Sequence, residues 1–209
     1  RISSGVLILP QRQTGLVAKQ AAEVDLLSEG RLRLGVGGGW NHVEYEALDC
    51  EWTTRGIKQA EQIEVLRKLW TEELVTFEGH FHKYNEVTIV PSPKQRPIPI
   101  WIGGSADKVI KRAAKLGDGW MPILSPDKEG KTALEKLYTY LEEFGRKREG
   151  FGIEVWMRFS EDNPEVWGAT ADEWRSMGVD MAMLYPMWEI KGVDGQIEIL
   201  SKFKEVAHS

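Results

Sequence analysis

Two glycine-bearing stretches carry the residue types that can hold a ligand. In "RLRLGVGGGWNHVEYEAL", residues 31–48, a strand-like run breaks at Gly37, Gly38 and Gly39 and then turns at Trp40 into a helical pattern. Glycine at a strand end permits positive φ and lets a flat ligand approach the backbone; the plain alternative is a tight turn. The glycines at 35, 37, 38 and 39 do not have the G-x-G-x-x-G spacing of a dinucleotide fingerprint. In "PIPIWIGGSADKVIKRAAKLGDGW", residues 97–120, a buried strand ends in Gly103 and Gly104, and Ser105 stands where a helix N-cap is expected. That arrangement turns free N–H groups and the positive end of the helix dipole outward, which suits a phosphate; an ordinary capped helix is the plain alternative. "HFH", with His80 and His82 two residues apart, puts two imidazoles on one face of a strand. No Asp/Glu spacing completes a metal set, and His42 is the nearest further histidine, so an exposed hairpin and no metal site are expected. Trp40, Trp101 and Trp120 fall at or near strand ends, where rings line a pocket or simply pack.

The elements that must position these residues alternate. Strand-length apolar runs lie at Ile2–Leu9, Leu32–Val36, Ile98–Ile102, Gly119–Ile123, Ile153–Phe159 and Asp180–Tyr185, and most lack polar alternation, as in strands buried on both faces. Helical patterns separate them. One runs from Thr14 to Ser28 and is closed by Gly30; another carries Ile57, Ala60, Ile63, Leu66 and Leu69. Later ones carry Leu134, Leu137, Tyr138, Leu141 and Phe144, and Ile197, Leu200, Phe203 and Val206. Strand–helix alternation implies parallel strands with crossover helices, in a doubly wound sheet or a barrel. The hairpin expected within residues 72–92 and the polar or glycine-rich loops after several strands favour an α/β fold of the (β/α)8 TIM-barrel type, with about six of its eight strands present. The whole chain, 1–209, is expected to form one such domain.

The net charge of −5 leaves no basic field for nucleic acid, and the charge run "EEFGRKREG" reads as a solvated helix end. No apolar run is long enough to span a membrane. Cys50 is the single cysteine, so no intrachain disulfide forms, which fits a reducing, cytoplasmic setting.

Taken in order, "SSGVLILPQRQTGLVAKQAAEVDLLSEGRLRLGVGGGWNHVEYEAL", "FEGHFHKYNEVTIVPSPKQRP" and "RPIPIWIGGSADKVIKRAAKLGDGWMPI" strongly resemble the luciferase-like monooxygenase family, in particular its branch that uses a deazaflavin (coenzyme F-420) or FMN. The resemblance implies a β/α barrel with flavin chemistry at the strands' C-terminal face, performing hydride transfer or monooxygenation on a small organic substrate. It implies a non-prolyl cis peptide at Gly5–Val6 behind the ring, and a cofactor phosphate on Gly103, Gly104 and Ser105, with Gly119 and Trp120 close by. The loop Gly37–Asn41, with Gly38, would border the ring, and Trp40, Asn41 and Glu44 would face the substrate. No catalytic acid is assigned, because the nearest carboxylate to Trp40 is Glu44, one helical turn on. The family's first two strands have no counterpart, so the barrel is expected to be N-terminally incomplete. Unpaired edges then need cover, which leads to an expected homo-oligomer. The rival expectation is a catalytically inactive cofactor-binding or scaffold protein with a truncated barrel.

Overall fold

The apolar runs become parallel strands in the computed structural model, which describes residues 1–158, 164–185 and 192–207. These residues group into two compact units, Arg1–Gly103 with Leu116–Asp118, and Gly104–Lys115 with Gly119 onward. The first contains β1 (Ile2–Ser3), β2 (Leu7–Ile8), α1 (Thr14–Leu27), β3 (Leu32–Gly37), α2 (His42–Ala47), α3 (Arg55–Thr71), β4 (Val75–Glu78), β5 (Lys83–Val87) and β6 (Ile100–Gly103). The second contains most of α4 (Asp107–Leu116), then β7 (Gly119–Met121), α5 (Lys128–Glu143), β8 (Gly152–Arg158), α6 (Pro164–Ser176), β9 (Met181–Tyr185) and α7 (Val193–Ala207).

In the first unit β3 is central. Its six residues are all buried, as a strand covered on both faces requires. On one side it pairs in parallel with β1 (Ile2 opposite Leu32) and β2 (Leu7 opposite Val36); on the other it pairs with β6 (Leu34 opposite Ile100, Val36 opposite Ile102). The strand expected from Ile2 to Leu9 is thus two short pieces flanking the Gly5–Val6 peptide bond, which is cis. It also ends early: Pro10 has no N–H to donate, and Leu9–Gln11 coil into a 3₁₀ turn. The strand expected from Ile98 begins at Ile100 instead, because Pro97 and Pro99 remove ladder donors on either side of Ile98.

Helices α1 and α3 pack together through small residues on one and large on the other. Ala18, Ala21 and Ala22 are buried, as are Ile63, Leu66, Leu69 and Trp70, and the Trp70 indole N–H donates to the Ala18 carbonyl at 3.1 Å. Ile57, expected on the same stripe, lies outside it, 66% exposed. The hairpin expected within 72–92 is β4 antiparallel to β5.

In the second unit β8 lies between β7 (Trp120 opposite Ile153) and β9 (Val155 opposite Ala182), both parallel to it. Helix α5 buries Ala133, Leu134, Leu137 and Leu141. Its outer side is laced to α4 by Lys111–Glu143 (3.0 Å), Lys136–Asp107 (3.2 Å) and a Tyr140 hydroxyl donating to Asp107 (3.0 Å). In α7, Ile197 and Leu200 are 57% and 46% exposed, so the apolar residues expected to share its face are not all buried. Counting β1 and β2 as one interrupted strand gives six parallel strands among the described residues, the expected number for a partial (β/α)8-type fold.

Candidate functional site

The glycine turn after β3 is built by steric exclusion. A Cβ on Gly37 would lie 2.6 Å from Val6 Cγ2, so only a glycine there lets Val6 pack against it. Gly39 has φ +70°, a left-handed conformation that side chains disfavour, and its Cβ would lie 3.0 Å from Ile8 Cγ2. Gly38, between them at the C-terminal end of β3, is the open position: nothing lies within 4 Å of the place its Cβ would take. Nearby, the Ser4 hydroxyl donates to the Gly35 carbonyl at 2.9 Å. The structure therefore brings Gly5, Val6, Gly37 and Gly38 together in one unit.

The loop is fastened from below. Tyr45 is fully buried, and its hydroxyl donates to the Gly38 carbonyl at 2.7 Å. Burial pushes the Tyr45 phenol up to about 12; the Arg55 guanidinium opposes this, and Cys50 and Glu44 add to it. Its ring meets Trp52 edge-on at 5.1 Å, and the Arg55 guanidinium lies 3.4 Å over Trp52. Asn41 accepts from the Val43 N–H at 3.2 Å as the N-cap of α2 and donates to Glu44 Oε1 at 3.2 Å. Trp40, between the glycines and this cap, is 87% exposed.

The turn after β6 is fastened in the same way by a different donor. The boundary between the units falls after Gly103, the last residue of β6, so Gly104 and Ser105 belong to the second unit. Gly104 has φ +118°; its N–H donates to the Met121 carbonyl at 3.2 Å, and its own carbonyl accepts from the Trp120 indole at 2.8 Å. Trp120 is fully buried. Ser105 is not the N-cap: α4 starts at Asp107, and the Ala106 carbonyl takes the first helical bonds from Val109 and Ile110. Ser105 instead lines a groove of about 630 Å³ together with Ile110, Leu124, Asp127, Lys128, Glu129, Thr132, Ala133 and Lys136. Of its two carboxylates, Asp127 is committed to capping α5, accepting from the Glu129 and Gly130 N–H groups at 2.8 and 3.0 Å.

Gly119 is placed differently from Trp120: it opens β7 at the strand's N-terminal end, opposite Gly152. Asp118, in the same "GDGW" segment, accepts from the Ile100 N–H at 2.8 Å and from Arg67 at 2.8 Å, at the start of β6. Trp101 is core, with the Arg33 guanidinium 4.2 Å from its ring. A further cavity of about 520 Å³ lies among the Ile123–Asp127 loop, Trp156, Trp167 and Trp174.

One histidine of the pair, His82, is a structural lock. His82 Nδ1 lies 2.7 Å from Glu61 and Nε2 lies 2.6 Å from the Thr14 hydroxyl, so both ring nitrogens are engaged. Glu61 also accepts from the His80 and Phe81 N–H groups, each at 2.8 Å. Burial pushes its carboxyl up, but the bonds from His82, Phe81 and His80 outweigh that and leave it below the ordinary range. No helix of the described residues is long and apolar enough to cross a membrane.

The family model for luciferase-like monooxygenases matches residues 1–183. The chain belongs to the luciferase-like monooxygenase family. It is 40% identical over 121 residues to a protein of Mycobacterium tuberculosis, covering 58% of this chain and 41% of that one. It is 35% identical over 107 residues to the FMNH(2)-dependent dimethylsulfone monooxygenase of Pseudomonas putida (49% of this chain, 30% of that one). It is 31% identical over 153 residues to the F420-dependent glucose-6-phosphate dehydrogenase of Kineococcus radiotolerans (70% and 45%). The chain thus spans less than half the length of the curated relatives it matches. The crystal structure of the monooxygenase RslO1 from Streptomyces bottropensis superposes with a TM-score of 0.85 at 21% identity, covering 98% of this chain and 76% of that one, a likeness of fold.

Sequence reasoning missed Tyr45, Lys128, Thr132 and Lys136. Tyr45 had one signal, an aromatic inside the short charged run "HVEYEA"; the lysines had none, since their meeting with Ser105 depends on how α5 lies beside α4.

Proposed function

We propose that this chain carries the cofactor-binding part of a flavin- or deazaflavin-dependent oxidoreductase that acts on a small organic molecule, with FMN or coenzyme F-420 as cofactor. The observation that carries the reading is the open backbone at Gly38, flanked by Gly37 and Gly39 packed against Val6 and Ile8, in a chain of this family. A planar ring needs a surface without side chains, and Gly38, with nothing within 4 Å of the place its Cβ would take, supplies one. Ser105, Thr132, Lys128 and Lys136, on their shared groove, would hold a phosphate. Trp40, Asn41 and Glu44 would face the substrate. When bound, reduced FMN would support monooxygenation and F-420 hydride transfer.

A non-catalytic cofactor carrier is the second reading, favoured by residues 37–41, Gly-Gly-Gly-Trp-Asn, which hold no titratable side chain. The same proposal takes residues 1–209 as one barrel-type domain that self-associates in the cytoplasm. Fluorescence titration of the full chain with FMN and with F-420, each oxidised and reduced, tests the cofactor. Saturable binding of one is expected, and binding of neither removes the reading. Turnover of a reduced cofactor with candidate substrates separates enzyme from carrier, and sedimentation tests self-association.

A further inference from the structure

A planar trans peptide fixes two directions at once: the carbonyl of one residue and the N–H of the next point opposite ways. At the end of β3 the Gly38 carbonyl is held by the Tyr45 hydroxyl at 2.7 Å, and Tyr45 is fully buried. The Gly39 N–H is therefore turned away from Tyr45, and Gly38 and Gly39 are themselves half-buried rather than enclosed, with nothing within 4 Å of the place a Gly38 Cβ would take. Nothing in this arrangement is loose. Gly39 is in a conformation suited to glycine, its missing Cβ leaves room for Tyr45 Cε2 (3.4 Å from where that Cβ would stand), and Trp52 braces the tyrosine ring.

We propose that Tyr45 is a positioning residue that aims the Gly39 N–H, as a hydrogen-bond donor, at a carbonyl oxygen of the bound flavin or deazaflavin ring. The proposal rests on the cofactor reading above. Both rings carry pyrimidine carbonyl oxygens that gain negative charge on reduction, so a fixed donor there favours the reduced ring over the oxidised one. Burial raises the Tyr45 pKa, so the phenol is a donor throughout the neutral range. The turn after β6 repeats the construction, with the Gly104 carbonyl held by the Trp120 indole.

The test is Tyr45→Phe in the full chain, which keeps the ring and removes the hydroxyl. Folding is checked by circular dichroism, and dissociation constants are measured for oxidised and reduced FMN and F-420. Reduced cofactor is expected to bind roughly tenfold more weakly and oxidised cofactor about threefold, the scale of one hydrogen bond that is stronger to the charged form. A loss from packing alone would weaken both equally, and equal loss overturns the proposal, as does unchanged binding. Nitrogen-15 NMR of the wild-type chain gives a reading that survives an unfolded variant. The Gly39 amide is expected to shift and to become protected from exchange when cofactor is added, and an unresponsive amide overturns the proposal. A wild-type chain that binds neither cofactor overturns the cofactor reading itself, and this proposal with it.

Discussion

The turns after β3 and after β6 solve one problem with two donors. In each, a glycine carbonyl is drawn inward by a buried aromatic side chain, Tyr45 for Gly38 and Trp120 for Gly104. They differ in where the donor comes from and what surrounds it. Tyr45 sits on the short helix that follows its own turn, seven residues from Gly38, so turn and anchor form one local piece. Trp120 sits on strand β7, sixteen residues from Gly104, so that turn is tied into a sheet. Around the first turn no cationic side chain stands within residues 37–41; beside the second, Lys128 and Lys136 share a groove with Ser105. An uncharged turn would suit a ring, and a groove that sets a serine hydroxyl beside two lysines and two carboxylates would suit a polar group, so on the proposed reading the same backbone device would serve two kinds of chemistry.

The comparison breaks most visibly at Gly37. Gly37→Ala puts a Cβ 2.6 Å from Val6 Cγ2, and overpacking of this kind costs ~1–3 kcal/mol. Tenfold or greater loss of cofactor affinity is expected by titration, on the order of the same free energy, with the second turn untouched. Unaltered affinity would show that the ring does not lie on the glycine surface. The converse change, Lys128→Ala with Lys136→Ala, is expected to weaken a phosphate-bearing cofactor about threefold to tenfold at low salt and less at high salt, because the charges are partly exposed. It should leave binding of riboflavin, which has no phosphate, unchanged; equal losses for FMN and riboflavin would sever the groove from the phosphate.

The smallest effect separates the two anchors by pH. The folded-state pKa of Tyr45 is raised, from 10.0 to about 12, so its contribution to stability is complete below pH 10 and is lost as pH rises toward about 12. Trp120 has no titrating proton in this range. Denaturant midpoints between pH 9 and about pH 12 are expected to fall less steeply in Tyr45→Phe than in the wild type, and identical slopes would mean the phenol is not buried as described.

How much of this was legible from the sequence varies with the distance over which each feature is decided. The strands Leu32–Val36 and Ile153–Phe159 are readable as largely apolar runs of strand length, and β3 and β8 match them closely, with the charged Arg33 and Glu154 inside them buried too; Phe159 itself lies outside the described residues. The glycine turns were readable as turns. Their anchors were not, because neither Tyr45 with Gly38 nor Trp120 with Gly104 obeys any helical or strand periodicity. Ser105 looked like an N-cap by residue type, but α4 begins two residues later, on the Ala106 carbonyl. Gly119 and Trp120 are successive residues of the short strand β7, so their side-chain positions point to opposite faces of the sheet. The "HFH" pair suggested an exposed tip, and its partners, Glu61 and Thr14, lie 21 and 68 residues away along the chain.

That histidine has a consequence for how the first unit comes apart. His82 binds a residue at the start of α1 with one nitrogen and a residue of α3 with the other, and Glu61 holds the hairpin backbone at two further amides. Two strands alone make a marginal element in water. Riveted to both helices, the hairpin joins their cooperative unit: it opens when they open, its amides exchange with theirs, and a protease meets a closed tip instead of a loose one.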